Sequence, residues 1–137
     1  IKKDVAPLGK KLLDMGSKII LIKCGASGFY YRTASQKHFS ELQETSGIDF
    51  STFADREGFE KSYVPDAVIS GTGAGDTTIA AFLTALVQGY PFEKCLQLAA
   101  ATGACCVAAP DALSGLKTFE ELENKIKSGW KKSSGMK

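Results

Sequence analysis

The sequence predicts an α/β fold, on three observations. A helical stripe of apolar residues leads into a short β-branched run, Ile19-Ile20-Leu21-Ile22, the alternation from which α/β layers are built. A glycine-rich loop, Gly71-Thr72-Gly73-Ala74-Gly75-Asp76, runs straight into an apolar helical segment. The second half is punctuated as successive helices, with Gly89, Pro91 and Pro110 at their boundaries.

Taken in order, Val5, Leu8, Leu12 and Met15 space a first helix that Gly16 closes. Ile19 to Ile22 is a continuous apolar run and suits a strand buried on both faces. Gly25-Ala26-Ser27-Gly28 reads as a turn and Phe29 to Thr33 as the return strand. Residues 34 to 60 are polar and weakly patterned, an excursion with a short helix near Phe50 to Arg56. Ser62-Tyr63-Val64 and Ala67-Val68-Ile69 read as strand pieces interrupted by Pro65. Helices are then expected over Asp76 to Gln88, Phe92 to Ala108 and Thr118 to Lys127, the last opened by a Thr118/Glu121 capping box. Residues 1–128 form one domain, and 129–137, basic and rich in Ser and Gly, are expected as a flexible tail.

Length and composition bound the function. The 137 residues suffice for one core, and 44% are apolar. With 17 basic and 15 acidic residues the net charge is +2, which makes no case for nucleic acid. No run reaches the ~18 apolar residues of a membrane helix, and no signal peptide is evident at the start. Cys24, Cys95, Cys105 and Cys106 form no CxxC motif. Cys95, Cys105 and Cys106, in alanine-rich helical surroundings, read as small buried apolar residues of a reduced, cytoplasmic protein. His38 is the single histidine and has no metal-binding or triad motif around it; it is expected on the surface.

The glycine loop carries the chemistry. Glycines let the main chain approach a ligand closely, and a helix N-terminus attracts phosphate. An acid beside such an anion site has a use as the base that takes a proton from an attacking hydroxyl. The P-loop and GxGxxG patterns both fail here. The plainer alternative is a glycine turn with Asp76 as a first-turn acid. Lys23, following the apolar strand, is either a phosphate contact or a solvent-facing strand end. The small residues Ala99 to Ala104 suit tight helix packing or contact with a flat ligand.

Three blocks together resemble the PfkB (ribokinase-like) family of carbohydrate kinases. Thr72-Gly73-Ala74-Gly75-Asp76, followed by Ala80-Ala81 and Phe82-Leu83, is similar to its C-terminal signature. Ile19 to Tyr30 looks like its strand–turn–strand beside the nucleotide phosphates. Ala99 to Ala104 with Asp111-Ala112-Leu113-Ser114-Gly115 looks like its helix and loop around adenine. The resemblance implies a three-layer α/β/α fold represented by its C-terminal half, with a partial sheet, and without the N-terminal half and lid. It implies transfer of phosphate from ATP to a sugar or sugar-acid hydroxyl, with magnesium. Asp76 would be the base, and Gly73, Ala74 and Gly75 the anion hole. Lys23, Gly25, Thr72, Ala100, Gly103 and Ala104 would hold the nucleotide. Ser70 stands where relatives carry an acid that helps hold a monovalent cation, which puts potassium activation in doubt. A nucleoside or vitamin-precursor alcohol as acceptor, or an inert nucleotide-binding fragment, stays open, as does a homodimer of a full-length parent. The 137 residues alone are expected to be inactive for want of an acceptor pocket.

Overall fold

The computed structural model describes residues 2–133. Its elements run α1 (Lys2–Asp14), β1 (Ile19–Lys23), β2 (Gly28–Thr33), α2 (Gln36–Ser46), β3 (Glu57–Lys61), α3 (Ala74–Val87), α4 (Phe92–Val107) and α5 (Phe119–Lys127). The strands form one antiparallel sheet in the order β1-β2-β3.

The sheet has a helix layer on each face, and β2 shows why. Successive strand residues point to opposite faces. Tyr30 meets α1, where a Cβ on Gly9 would stand 2.6 Å from its ring. Tyr31 points the other way and meets Phe92 of α4 edge-on at 5.4 Å. The α/β expectation therefore holds, with α1, the sheet and the α3–α4 pair as three layers.

Several local expectations are corrected. The buried side of α1 is centred on Gly9 rather than on the apolar stripe, and Leu8 and Met15 face solvent. A glycine brings the helix close enough to cover Tyr30, which an apolarity count does not register. β1 is not buried on both faces: only Ile20 is fully buried, because β1 is an edge strand of a three-stranded sheet. The polar excursion contains a helix, α2, and residues 51–55 are turns. The strand expected at 62–64 is instead β3 just before it, with Tyr63 only bridging Lys132. Residues 67–69 pair with no strand; the Ile69 amide donates to the carbonyl of Val107 at 2.8 Å.

Within the segment expected as a tail, residues 130–133 meet residues 62–64. Trp130 stacks on Tyr63 with ring centroids 4.7 Å apart and donates its indole N–H to the Val64 carbonyl at 2.6 Å. The Val64 amide donates to Lys131 O at 2.8 Å, and the Ser133 amide to Ser62 O at 2.7 Å. Composition reads as solvated, but an aromatic pair and main-chain bonds hold this segment against residues 62–64. Residues 134–137 lie outside the described residues.

The core is largely aromatic at one end. Phe39, Phe53 and Phe92 are fully buried, with Phe53 and Phe92 centroids 5.1 Å apart and Phe39 and Phe53 at 6.1 Å. Thr33 pins the 51–55 turn to the sheet, donating to Phe53 O and accepting from the Arg56 amide at 2.8 Å. Cys95, Cys105 and Cys106 are buried, and burial pushes the Cys95 thiol up to about 12. His38 is exposed, on α2. No helix among the described residues is long and apolar enough to cross a membrane.

Candidate active site

Gly73 opens α3 with φ at +78°, a left-handed conformation that costs glycine nothing. A Cβ there would also sit 2.5 Å from the Ala112 methyl. Ala74, Gly75 and Asp76 are the first three helical residues. No side chain caps this end. The Ala74 amide donates to Gly71 O at 3.3 Å, and the next amide with a main-chain acceptor outside regular pairing is Thr77, to Gly73 O at 2.9 Å. Among the described residues, the amides of Gly73, Gly75 and Asp76 have no acceptor, the ordinary state of an uncapped helix start. Of the three residues expected to form an anion hole, Gly73 and Gly75 thus keep their donors free, while that of Ala74 is drawn back into the turn.

Strand register aims Lys23 at this turn. Directly opposed residues of an antiparallel pair share a face. Ile19, Leu21 and Lys23 oppose Thr33, Tyr31 and Phe29, so Lys23 ends the column that faces α3 and α4. Its Nζ donates to Thr78 Oγ1 at 3.4 Å. Burial of the ammonium end pushes its pKa down. The Lys23 side chain also runs 4.0 Å from where a Cβ of Gly75 would stand.

A cleft of about 470 Å³ lies beneath Lys23, within the usual size of small-molecule sites. Lys23, Gly25, Ala74, Gly75, Ala100, Gly103 and Ala104 all border it, so the structure brings most of the sequence-derived residues together. Gly103 has a packing role as well, since a Cβ would come within 2.5 Å of Thr78 Oγ1.

Other residues fall elsewhere. Gly73 and Asp76 border a second groove of about 410 Å³, with Leu113, Leu116 and Phe119. Thr72 lies in the turn, where its amide donates to Ser70 Oγ at 3.1 Å. The Asp111–Gly115 segment, expected around adenine, borders the Asp76 groove and a pocket beside Cys105 rather than the Lys23 cleft. Asp111 folds this segment by accepting from the Leu113 and Ser114 amides, both at 2.8 Å, which holds its carboxyl below the usual range.

Sequence reasoning missed Ser62, Tyr63, Val68, Thr78 and Val107 as cleft-lining residues. Thr78 alone had a signal, its place two residues beyond Asp76. The others come from segments that meet only in three dimensions. Among the described residues, no three His, Cys, Asp or Glu side chains converge as a metal site.

A family model described as pfkB family carbohydrate kinase matches residues 2–118. The chain is 43% identical over 58 residues to a ribokinase from Arabidopsis thaliana, covering 42% of this chain and 15% of that protein. It is 41% identical over 59 residues to a nucleoside kinase from Methanocaldococcus jannaschii, covering 43% of this chain and 20% of that protein. Among solved structures, the ribokinase of Arabidopsis thaliana complexed with ribose and ATP superposes with a TM-score of 0.71 at 24% identity, over 93% of this chain and 35% of that one. The chain spans less than a third of the length of the curated relatives it matches. Its architecture is ribokinase-like, and with the family match running through most of the sequence, the chain belongs to the pfkB family of carbohydrate kinases.

Proposed function

We propose that this chain is the nucleotide-binding and catalytic portion of a kinase that transfers phosphate from ATP to a hydroxyl of a sugar or sugar acid. One observation carries the reading. The left-handed turn at Gly73 leaves free amides at the start of α3, with Lys23 on one flank and Asp76 on the other. The assigned portion, residues 1–128 by sequence, extends to residue 133 through the Tyr63–Trp130 contact.

The reading assigns each residue a role that its position supports. Lys23 and Gly75 border the cleft and Gly73 the groove beside it; in this reading the Lys23 ammonium and the Gly73 and Gly75 amides would hold the transferable phosphate and the charge that develops on it. Gly25, Ala100, Gly103 and Ala104 leave room in the cleft for the rest of the nucleotide, with Thr72 shaping the turn. Asp76 is exposed on the other flank, where an acceptor hydroxyl would meet it. The acceptor oxygen bonds to the γ-phosphorus as the bond to the bridging oxygen breaks. ADP leaves, and Asp76 takes the acceptor's proton late in the step. Magnesium would arrive with the nucleotide phosphates and neutralise part of their charge; the described residues offer it no carboxylate cluster. Ser70, where relatives carry an acid, accepts from the Thr72 amide.

A nucleoside acceptor is a second reading, favoured by the apolar lining that Leu113, Leu116 and Phe119 give the groove beside Asp76. The vitamin-precursor alcohols have no such observation behind them.

The test is a calorimetric titration of the chain with magnesium and a non-hydrolysable ATP analogue, beside Gly75→Val. The backbone of Gly75 is helical and a Cβ meets nothing closer than 4.0 Å, so valine fills the space over the turn without straining it. Saturable binding that valine removes while the melting temperature holds is the expected result. No binding by a wild-type chain that circular dichroism shows to be folded would overturn the claim that these residues contain the phosphate site.

A further inference from the structure

We infer that Thr78 is a positioning residue, whose hydroxyl holds the Lys23 ammonium over the opening turn of α3. The inference rests on the phosphate reading of Lys23 above and goes beyond it by naming what fixes the lysine.

Thr78 stands one turn into α3 and is 1% exposed. Its Oγ1 donates to Ala74 O at 2.7 Å, the back-bond common for threonine inside a helix. Using the proton there leaves the oxygen lone pairs for another donor. Lys23 Nζ supplies it at 3.4 Å, from a strand 55 residues earlier. Gly103 makes room for this meeting, because a Cβ on it would press to 2.5 Å from the same oxygen. One hydroxyl thus touches the proposed phosphate contact, the first residue of α3 and the helix packed across from it.

The energetic logic is preorganisation. A free lysine samples many rotamers and must give them up to grip a phosphate. A lysine whose ammonium already rests 3.4 Å from Thr78 Oγ1 has part of that freedom restricted before the ligand arrives. Valine at position 78 keeps the branched shape and the packing but deletes the acceptor. Serine keeps the acceptor.

The experiment is a double-mutant cycle on the chain, by calorimetry with a magnesium-bound non-hydrolysable ATP analogue and with adenosine. Thr78→Val and Lys23→Met should each weaken the analogue about tenfold, the order of one hydrogen bond to a charged group, while adenosine affinity is unchanged. The double variant should be no weaker than Lys23→Met. Thr78→Ser should stay within about twofold of wild type, since it keeps the acceptor. Additive losses, or an equal loss for adenosine, would overturn the positioning role and leave Thr78 a packing residue.

If Lys23→Met leaves the analogue unaffected, the phosphate reading of Lys23 fails by itself. Thr78 is then judged without nucleotide, by competitive acetylation read by mass spectrometry. Lys23 and the reference Lys37 are both exposed; the ratio of their labelling should rise about twofold or more in Thr78→Val and stay level in Thr78→Ser, as loss of a hydrogen bond to the ammonium predicts. An unchanged ratio in Thr78→Val would overturn the inference.

Discussion

The α3–α4 pair has two unlike ends. At one, Phe82, Ala85 and Leu86 of α3 close on Phe92, Cys95 and Leu96 of α4, all buried, with Phe82 and Phe92 centroids 6.2 Å apart. At the other, Ala74, Gly75 and Thr78 of α3 face Ala100, Gly103 and Ala104 of α4 around an open cleft. The first end fills space with rings and gains stability from the area it hides. The second gives up side-chain volume, so main-chain amides and one lysine can be approached. Binding and stability are therefore expected to separate along a single helix pair.

The largest expected effect tests the open end. In a longer form of the protein that turns over, Asp76→Asn should lower turnover by about 10²–10⁴, the usual worth of a general base. Nucleotide affinity and melting temperature should hold, because Asp76 is exposed and borders the other groove. Steady-state kinetics decides it, and more than about a tenth of wild-type turnover would remove Asp76 from the role.

Phe92→Ala tests the closed end. Truncating a fully buried phenylalanine typically costs about 3–5 kcal/mol, and Phe92 also meets Tyr31 and Phe53. Urea unfolding measures the loss. If the folded fraction of this variant binds nucleotide as wild type does, the two ends are independent. A matching loss of affinity would show them coupled through the helices.

Lys23 sharpens the contrast through pH. Burial holds its pKa below the usual 10.5, so between the lowered value and 10.5 the unfolded chain binds more protons than the folded one. Stability then rises with pH across that window, because the cost of holding the partly desolvated charge disappears. Phosphate binding favours the charged form, so affinity for the ATP analogue falls as pH rises through the same lowered value. Lys23→Met should flatten both profiles, read by calorimetry and thermal melts at stepped pH.

The smallest effect is expected away from both ends, at the start of α5. Thr118 Oγ1 accepts from the Glu121 amide at 3.1 Å, and the Glu121 carboxylate accepts from the Thr118 amide at 3.3 Å. That amide holds the Glu121 carboxyl below its usual 4.5, so the contribution is present above that value and is lost as pH falls through the lowered one. Thr118→Ala should lower the melting temperature by a few degrees at neutral pH, and the deficit should shrink in acid.

The open end was the more legible in the sequence, since glycines, an acid and a following apolar helix are local signals. Gly73, Gly75 and Asp76 fall where the loop-to-helix pattern places them, and the Thr118/Glu121 box closes as its spacing predicts. What stayed hidden depends on partners distant in sequence. α2 buries only Phe39 fully, too little for a periodic signal in a polar segment. β3 reads Glu57-Gly58-Phe59-Glu60-Lys61 and becomes a strand because β2 offers it an edge. Ala67-Val68-Ile69 has strand-like composition, yet Val68 and Ile69 stay largely exposed with no strand beside them among the described residues. The position of Lys23 in the cleft required the β1–β2 register, which no local pattern specifies.

Trp130 is the single tryptophan of the chain. It stacks on Tyr63, which borders the cleft, while Lys125 lies 4.2 Å from the centre of its ring. The molecule thus carries its own fluorophore one aromatic ring away from the space assigned to the nucleotide. Emission from a single indole reports on that wall without any label, so ligands can be screened optically against the native sequence. Trimming the chain at the end of α5 would discard the probe and leave the cleft-bordering Tyr63 without its stacking partner.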